Sequence, residues 1–497
     1  MFRILRILIL LLLFSLKILS QSNTAEFDSY SGFSKGNEAA GYHLKENNGY
    51  RVNMQVINKI VRNNYDNDFK LKDSYEYETQ DYTLNGSFIG TPVFTIDLQL
   101  EKAVYEIYAD KKKVIVVAPD FLQKKDSIIY SLDLKNQEGN EKRLAVMPYP
   151  KGLRILTFSN REDKLYLYDW KENGETDTVE FSLPESSLSP DEIKKYSKSA
   201  KIKYKSALDD LVVSRANAVS AIGYAGKNSI YYIDDKIWLL LQLPLSTGYN
   251  VLELDINKLS VSSSNYMIND MRKNSEAKTE TLKTPFVLIW KNYLIVRNSS
   301  YYFFQYQFYD LTTKQLVKEY AASSDESLQK IIHSDFNQKG TWLSGGDDKK
   351  LDNEKAYLRK LGAGDGFIFL SKNENDSITI TTGSLKKTEG LVGSVVSIGT
   401  MFLGAALNFT IGSFQIIPYL QLYRNKLVYS HSCFSVPTFE PSTSKNINTP
   451  LDLLLDNFER RDLKSNSSFI LLKNGEYMVA VFNSGSKKFE LYTLRNG

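Results

Sequence analysis

Residues 468–494 read SFILLKNGEYMVAVFNSGSKKFELYTL, and this stretch settles what kind of fold the chain builds. Apolar and aromatic residues alternate on both sides of Asn474-Gly475, and again beyond the polar run NSGSKK. Alternation with period two marks a strand buried on one face. Asn-Gly is the strongest short hairpin signal, because both residues tolerate positive φ. The stretch therefore predicts three antiparallel strands in succession. The same reasoning predicts a hairpin where SIYYI and KIWLLLQL flank Asp234-Asp235.

A related pattern recurs upstream. Alternating strands end in Asp plus an apolar residue at VFTIDL (to Leu98), IYSLDL (to Leu134), LYLYDW (to Trp170), VLELDI (to Ile256) and YQFYDL (to Leu311). Such an Asp can accept backbone N–H bonds and start a turn. Asp97, Asp133 and Asp169 are spaced 36 residues apart, and Asp255 and Asp310 are 55 apart. Those steps suggest repeated units of roughly 40 residues carrying insertions. The expected fold is all-β: a single β-propeller of about six to eight blades with helical insertions. A large sandwich or β-solenoid is the alternative. These aromatic-plus-Asp strand ends resemble degenerate, WD-type-like repeat propellers among exported proteins of Gram-negative bacteria. The resemblance covers short stretches and lacks the Gly-His and Trp-Asp signatures. It implies a propeller; it implies no function, because such folds host many.

The N-terminus reads as a secretory leader. Arg3 and Arg6 precede an aliphatic run from Ile7 to Leu13, and the small residue Ser20 precedes a polar stretch. The apolar core is shorter than the roughly 20 residues of a membrane span. Cleavage between Ser20 and Gln21 is expected. No cysteine stands near that junction, which excludes a lipoprotein anchor. The expected location is the periplasm or cell surface. Three cations leave with the leader, so the formal charge falls from +4 to +1. That balance gives no reason to expect nucleic acid. The sole cysteine, Cys433, cannot form an internal disulfide and is expected to be a buried, small apolar residue.

Residues 21–45 are expected to be a poorly ordered lead-in to one domain over 46–497. Helical insertions are expected near 189–208, 323–333, 385–408 and 449–461. Ser189-Pro190-Asp191-Glu192, Ser323 with Glu326, and Thr449-Pro450 supply the start signals. Leu391–Tyr419 carries no charged residue. It is expected to be an apolar helix docked on the domain; two buried strands or membrane contact are the alternatives. Met401, Phe402, Leu403 and Phe409 should face inward, with any remaining apolar face forming a partner interface.

Chemistry is sparse. His43, His333 and His431 have no ligand-like spacing, no G-x-S-x-G elbow occurs, and no metal or cofactor is expected. Ser334 to Trp342 is an imperfect Asp box and reads as a turn. The alternate oxygens of Asn64, Asp66 and Asp68 lack the Gly and distal Glu of a calcium loop. Gly362 to Gly366 read as a turn into a strand. No catalytic residue can be singled out. The reading is an exported, non-enzymatic binding or scaffold protein that engages a cell-envelope protein. The alternative is a carbohydrate-active hydrolase using carboxylates at a propeller channel.

Overall fold

Seven sheets, antiparallel but for one strand pair, account for nearly all of the described chain in the computed structural model. Between Ala25 and Thr493 it describes the strands below, most of their turns and one helix. The stretches 1–24, 30–37, 79–95, 185–210, 268–284, 341–347, 387–425 and 453–467, with several shorter ones, lie outside the described residues.

Blade 1 is a meander of Glu38–Leu44, Gly49–Val56, Lys59–Tyr65 and Leu71–Glu78. Blade 2 repeats it with Ile96–Gln99, Val104–Ala109, Lys113–Asp120 and Lys125–Asp133. Blade 3 follows with Glu141–Tyr149, Gly152–Ser159, Lys164–Lys171 and Thr176–Ser182. Blade 4 holds Asn228–Ile233, Lys236–Gln242, Gly248–Asp255 and Ser260–Met267, and blade 5 holds Phe286–Trp290, Tyr293–Ser299, Phe303–Asp310 and Leu316–Ser323. Blade 6 is built on Asp365–Lys372, Ser377–Lys386 and Lys426–Ser435, with Asn337–Lys339 from earlier in the chain as its fourth strand. Blade 7 consists of the three C-terminal strands read from sequence, Ser468–Lys473, Glu476–Asn483 and Lys488–Thr493. Its outermost strand is Ala25–Asp28, paired antiparallel with Lys488–Thr493. First and last strands thus share one sheet, which closes the ring. The fold is an all-β propeller, as the alternation implied.

Burial grades outward within a blade. In blade 3 the second strand is buried along its whole length, the third alternates, and the fourth is mostly exposed. Apolar side chains fill the seams between consecutive blades. Phe27, Tyr50, Phe69 and Phe489 join blade 7 to blade 1, and Tyr105, Ile155 and Trp170 join blade 2 to blade 3. The largest cluster runs through blades 4, 5 and 6, where Phe308 stacks on Phe439 at 4.3 Å.

Several expectations are corrected. Asp97 lies on the innermost strand of blade 2, whereas Asp133 ends the outermost strand of that same blade, so the 36-residue step does not mark a blade. Any strand end favours Asp, and the pattern could not tell one end from another. The real repeat is the turn after each third strand. There the carboxylates of Asp66, Asp120, Asp255 and Asp310 accept backbone N–H bonds from two to four residues onward. Asp66 to Asp120 is 54 residues and Asp255 to Asp310 is 55, a full blade with its connections. Residues 21–45, expected to be loosely ordered, contribute the closing strand and the first strand of blade 1. The helix expected over 323–333 is a single 3-10 turn, Leu328–Lys330; Ser327 caps it, while Glu326 caps Ser323 across a turn. An unanticipated helix, Glu354–Ala363, begins at Asn353, whose side-chain Oδ1 accepts from the Ala356 N–H. Gly362 therefore sits in a helix and not in a turn. Thr449 and Asp452 bond reciprocally, as a helix start requires, but the residues after them lie outside the described set, as do those of the insertions near 189–208 and 385–408.

Candidate functional site

Propeller topology sorts the connections by face. In a meander, the links from the fourth strand to the next blade, and from the second strand to the third, leave from the same side. The other side carries only first-to-second and third-to-fourth turns. In blades 1 to 5 none of those turns exceeds five residues. The long connections 79–95, 183–227 and 268–285 all join strand ends on the first side. So does 387–425, which links the second and third strands of blade 6. In blades 1 to 5 the long connections therefore lie on one face; the link 436–467, after the third strand of blade 6, leaves from the other.

Part of that extra chain returns to the axis. Leu211–Ser214 pairs parallel to the innermost strand of blade 4, and Ser220–Gly223 pairs antiparallel to the innermost strand of blade 6. The excursion descends along one blade and ascends along another, straddling blade 5. It adds an innermost strand to each and covers their inner backbone edges, which would otherwise present unpaired N–H and C=O groups. Residues 211–223 carry one charge, Arg215.

Two clusters of buried charge lie in blade seams. Arg62 of blade 1 is wholly buried between Glu106 at 2.6 Å and Asp126 at 2.8 Å, both of blade 2. Tyr108 accepts a further bond from Arg62, and Asn53 donates to Glu106. Burial alone would raise the Glu106 carboxyl, but the charge and hydrogen bonds of Arg62 outweigh it and hold the group at about 2. At the next-but-one seam, Arg154 of blade 3 bonds Asp169 at 3.3 Å and reaches Asp235 and Tyr232 of blade 4. Both clusters bridge neighbouring sheets.

Blade 6 gathers two of the three histidines. His431 sits 3.1 Å from the Asp452 carboxylate through Nε2 and 2.9 Å from the Thr381 hydroxyl through Nδ1. His333 Nδ1 accepts the Cys433 backbone N–H, and Cys433 is buried, as expected. A histidine between a hydroxyl and a carboxylate has the composition of a hydrolytic triad. Here Thr381 is 1% exposed and His431 3%, so the hydroxyl faces no substrate. Burial pushes the Asp452 carboxyl up, yet bonds from His431 and Thr449 leave it below its ordinary value. The arrangement ties Thr449 and Asp452 to blade 6.

The residues singled out from sequence are dispersed. Asp255 and Asp310 cap turns, Asp169 is paired with Arg154, and Asp335 pairs with Lys350 at the surface. Asp66 shapes a turn through its bonds to Asp68 and Lys70. Among the described residues no group of three His, Cys, Asp or Glu is placed to hold a metal ion, and no helix is long and apolar enough to cross a membrane. His43 lies on the first strand of blade 1. Met401, Phe402, Leu403 and Phe409 lie outside the described residues, within the connection whose ends, Lys386 and Lys426, stand on the insertion-bearing face.

No family model matches this chain, and no curated protein is similar to it. Among solved structures it is similar to the Dos1 propeller, at 8% identity and a TM-score of 0.34 over 97% of each chain. It is also similar to the Nup133 β-propeller domain of Vanderwaltozyma polyspora, at 11% identity and 0.33, covering 95% of this chain and 100% of that one. A third likeness is to the dihydro-heme d1 dehydrogenase NirN, at 8% and 0.34, covering 93% of this chain and 68% of that one. These superpositions are loose, and the propeller assignment rests on the seven sheets and their closure.

Proposed function

We propose that this is an exported, non-enzymatic binding or scaffold protein that engages a cell-envelope protein through its insertion-bearing face. The observation that carries this reading is the asymmetry of the connections in blades 1 to 5: long links on one side, tight turns on the other. Loops on a rigid scaffold are where binding residues concentrate. The uncharged stretch 391–419, with Met401, Phe402, Leu403 and Phe409, falls within the connection whose described ends, Lys386 and Lys426, stand on that face, and in this reading it supplies the apolar contact. The charged clusters support the same reading, since each holds one blade to the next.

Site-specific photo-cross-linking in the producing cell tests it. Tyr302, half exposed in the turn between the second and third strands of blade 5, stands on the insertion-bearing face. Asn173, exposed between the third and fourth strands of blade 3, stands on the other. A cross-linker at Tyr302 should capture one envelope protein, and one at Asn173 should not. Equal capture from both positions would remove the assignment of the face. Release of reducing sugar from a polysaccharide by the purified mature chain would replace the binding reading with the hydrolase.

A further inference from the structure

Among the described residues, five of the nine large apolar side chains left exposed gather at one kind of place: Leu71, Leu122, Leu259, Leu316 and Val317. Leu122 stands at the tip of the third-to-fourth turn of blade 2 and is 97% exposed, and Leu259 occupies the same turn of blade 4. Leu71 and Leu316 open the fourth strands of blades 1 and 5, directly after that turn. These two are built alike. Each pairs with a tyrosine near the end of the third strand, Tyr65 or Tyr309, and an extra residue, Lys72 or Val317, follows as a bulge. A bulge re-aims the side chains beside it. Leu259 has a φ of 52°, a backbone region in which blade 3 places Gly174. An exposed apolar side chain held there costs strain and gains nothing in packing, which marks the position for function.

The third-to-fourth turns all leave from the face opposite the long connections, so the leucines stand on one side of the ring, in blades 1, 2, 4 and 5. Each has an exposed lysine within two residues. Lys70 and Lys72 flank Leu71, Lys124 follows Leu122, and Lys258 and Lys314 precede Leu259 and Leu316. The aspartates of the same turns accept backbone N–H bonds, which hold those carboxylates back against the chain. A rigid ring with apolar tips at separate points of one face meets a flat surface with all of them at once; a globular protein would cover one or two. A leucine that dips among acyl chains while a neighbouring lysine reaches a phosphate is an interfacial lipid contact. We propose that this face lies on an anionic phospholipid bilayer, with Leu71, Leu122, Leu259 and Leu316 inserted below the headgroups. Blade 3 is the exception, since its turn reads Glu172-Asn173-Gly174-Glu175. The insertion-bearing face then points away from the lipid, toward a protein partner.

Vesicle co-sedimentation of the mature chain tests it; with the leader absent, its aliphatic run cannot do the binding. Vesicles of phosphatidylethanolamine with phosphatidylglycerol should carry the protein down, and phosphatidylcholine alone should carry far less. Leu122→Ser should weaken binding about tenfold, the effect of withdrawing one leucine side chain from the acyl region. Lys124→Gln should weaken it about fivefold, and only where the anionic lipid is present. Combining Leu71→Ser, Leu122→Ser, Leu259→Ser and Leu316→Ser should abolish it. Because Cys433 is buried, a fluorophore can be attached through Leu122→Cys or, on the other face, through Tyr302→Cys. Brominated lipid should quench the first and not the second, a readout that stands even where the combined variant fails to fold. No sedimentation with the anionic vesicles, binding undiminished by the combined substitutions, or quenching on the Tyr302 side in place of the Leu122 side would overturn the contact.

Discussion

Arg62 and Glu106 join blade 1 to blade 2 through a 2.6 Å bond between Nη2 and Oε2, with neither side chain exposed to solvent. Their pairing is also a statement about acid stability. The Glu106 carboxyl is held at about 2 when folded, against an ordinary value of 4.5. A depressed carboxyl contributes stability above its unfolded value and loses it as pH falls through the folded one. Unfolding free energy should therefore drop between about pH 4.5 and 2, and Glu106→Gln should flatten that slope. At neutral pH the same substitution should cost about 3 kcal/mol, because it weakens the neutralisation of a buried guanidinium. Urea denaturation at a series of pH values reads both effects; parallel acid limbs would show that Glu106 is not responsible.

The closing strand makes the start of the mature chain a structural matter. Phe27 lies 5.1 Å from Phe489 and 4.9 Å from Tyr65, stitching blade 7 to blade 1. Processing should leave Ala25–Asp28 intact, so N-terminal sequencing should find a start at or near Gln21. Phe27→Ala should cost about 3–5 kcal/mol. Hydrogen exchange should then quicken in Lys488–Thr493 before it does in blade 4. Uniform quickening would mean that the ring does not open at this joint.

Some third-to-fourth turns place ordinary residues in the left-handed region. Lys124, Leu259 and Lys314 have φ of 52°, 52° and 62°, while blade 3 uses Gly174 at 89°. Leu259 is 61% exposed, so removing its side chain forfeits little packing. Leu259→Gly should raise stability by about 1 kcal/mol, because glycine escapes the steric cost of that region. Differential scanning calorimetry checks the direction; a lower Tm would mean that the turn is not strained.

Local signals were legible and long-range partnerships were not. The Asn474-Gly475 and Asp234-Asp235 hairpins form where the chain's own turn chemistry places them. The helix at Glu354–Ala363 had a readable cap in Asn353, masked by a run of charges that also suits a loop. Nothing local indicates that Asn337–Lys339 pairs beyond Lys426–Ser435, or that Ser220–Gly223 leaves blade 4 for blade 6. The approach of His431 to Asp452 and of Arg62 to Glu106 depends on which sheet faces which. Alternation within a strand does not encode that.

Two glycines give the sharpest packing test. Gly49 and Gly152 each open the second strand of their blade, opposite the end of the third. A Cβ on Gly152 would stand 1.9 Å from the Trp170 carbonyl oxygen, and one on Gly49 would stand 2.3 Å from that of Tyr65. Both obstacles are backbone, so no side-chain rotation relieves them. At Gly152 the strand would have to withdraw from Trp170, which is buried in the seam between blades 2 and 3. Gly174 is the contrast: nothing lies within 4 Å of its added Cβ, and only its positive φ resists substitution. Gly152→Ala and Gly49→Ala should each cost about 3 kcal/mol or more through overpacking. Gly174→Ala should cost about 1 kcal/mol through backbone strain. Denaturation midpoints rank the three variants; a Gly152→Ala protein as stable as Gly174→Ala would show that the second and third strands do not approach as closely as described.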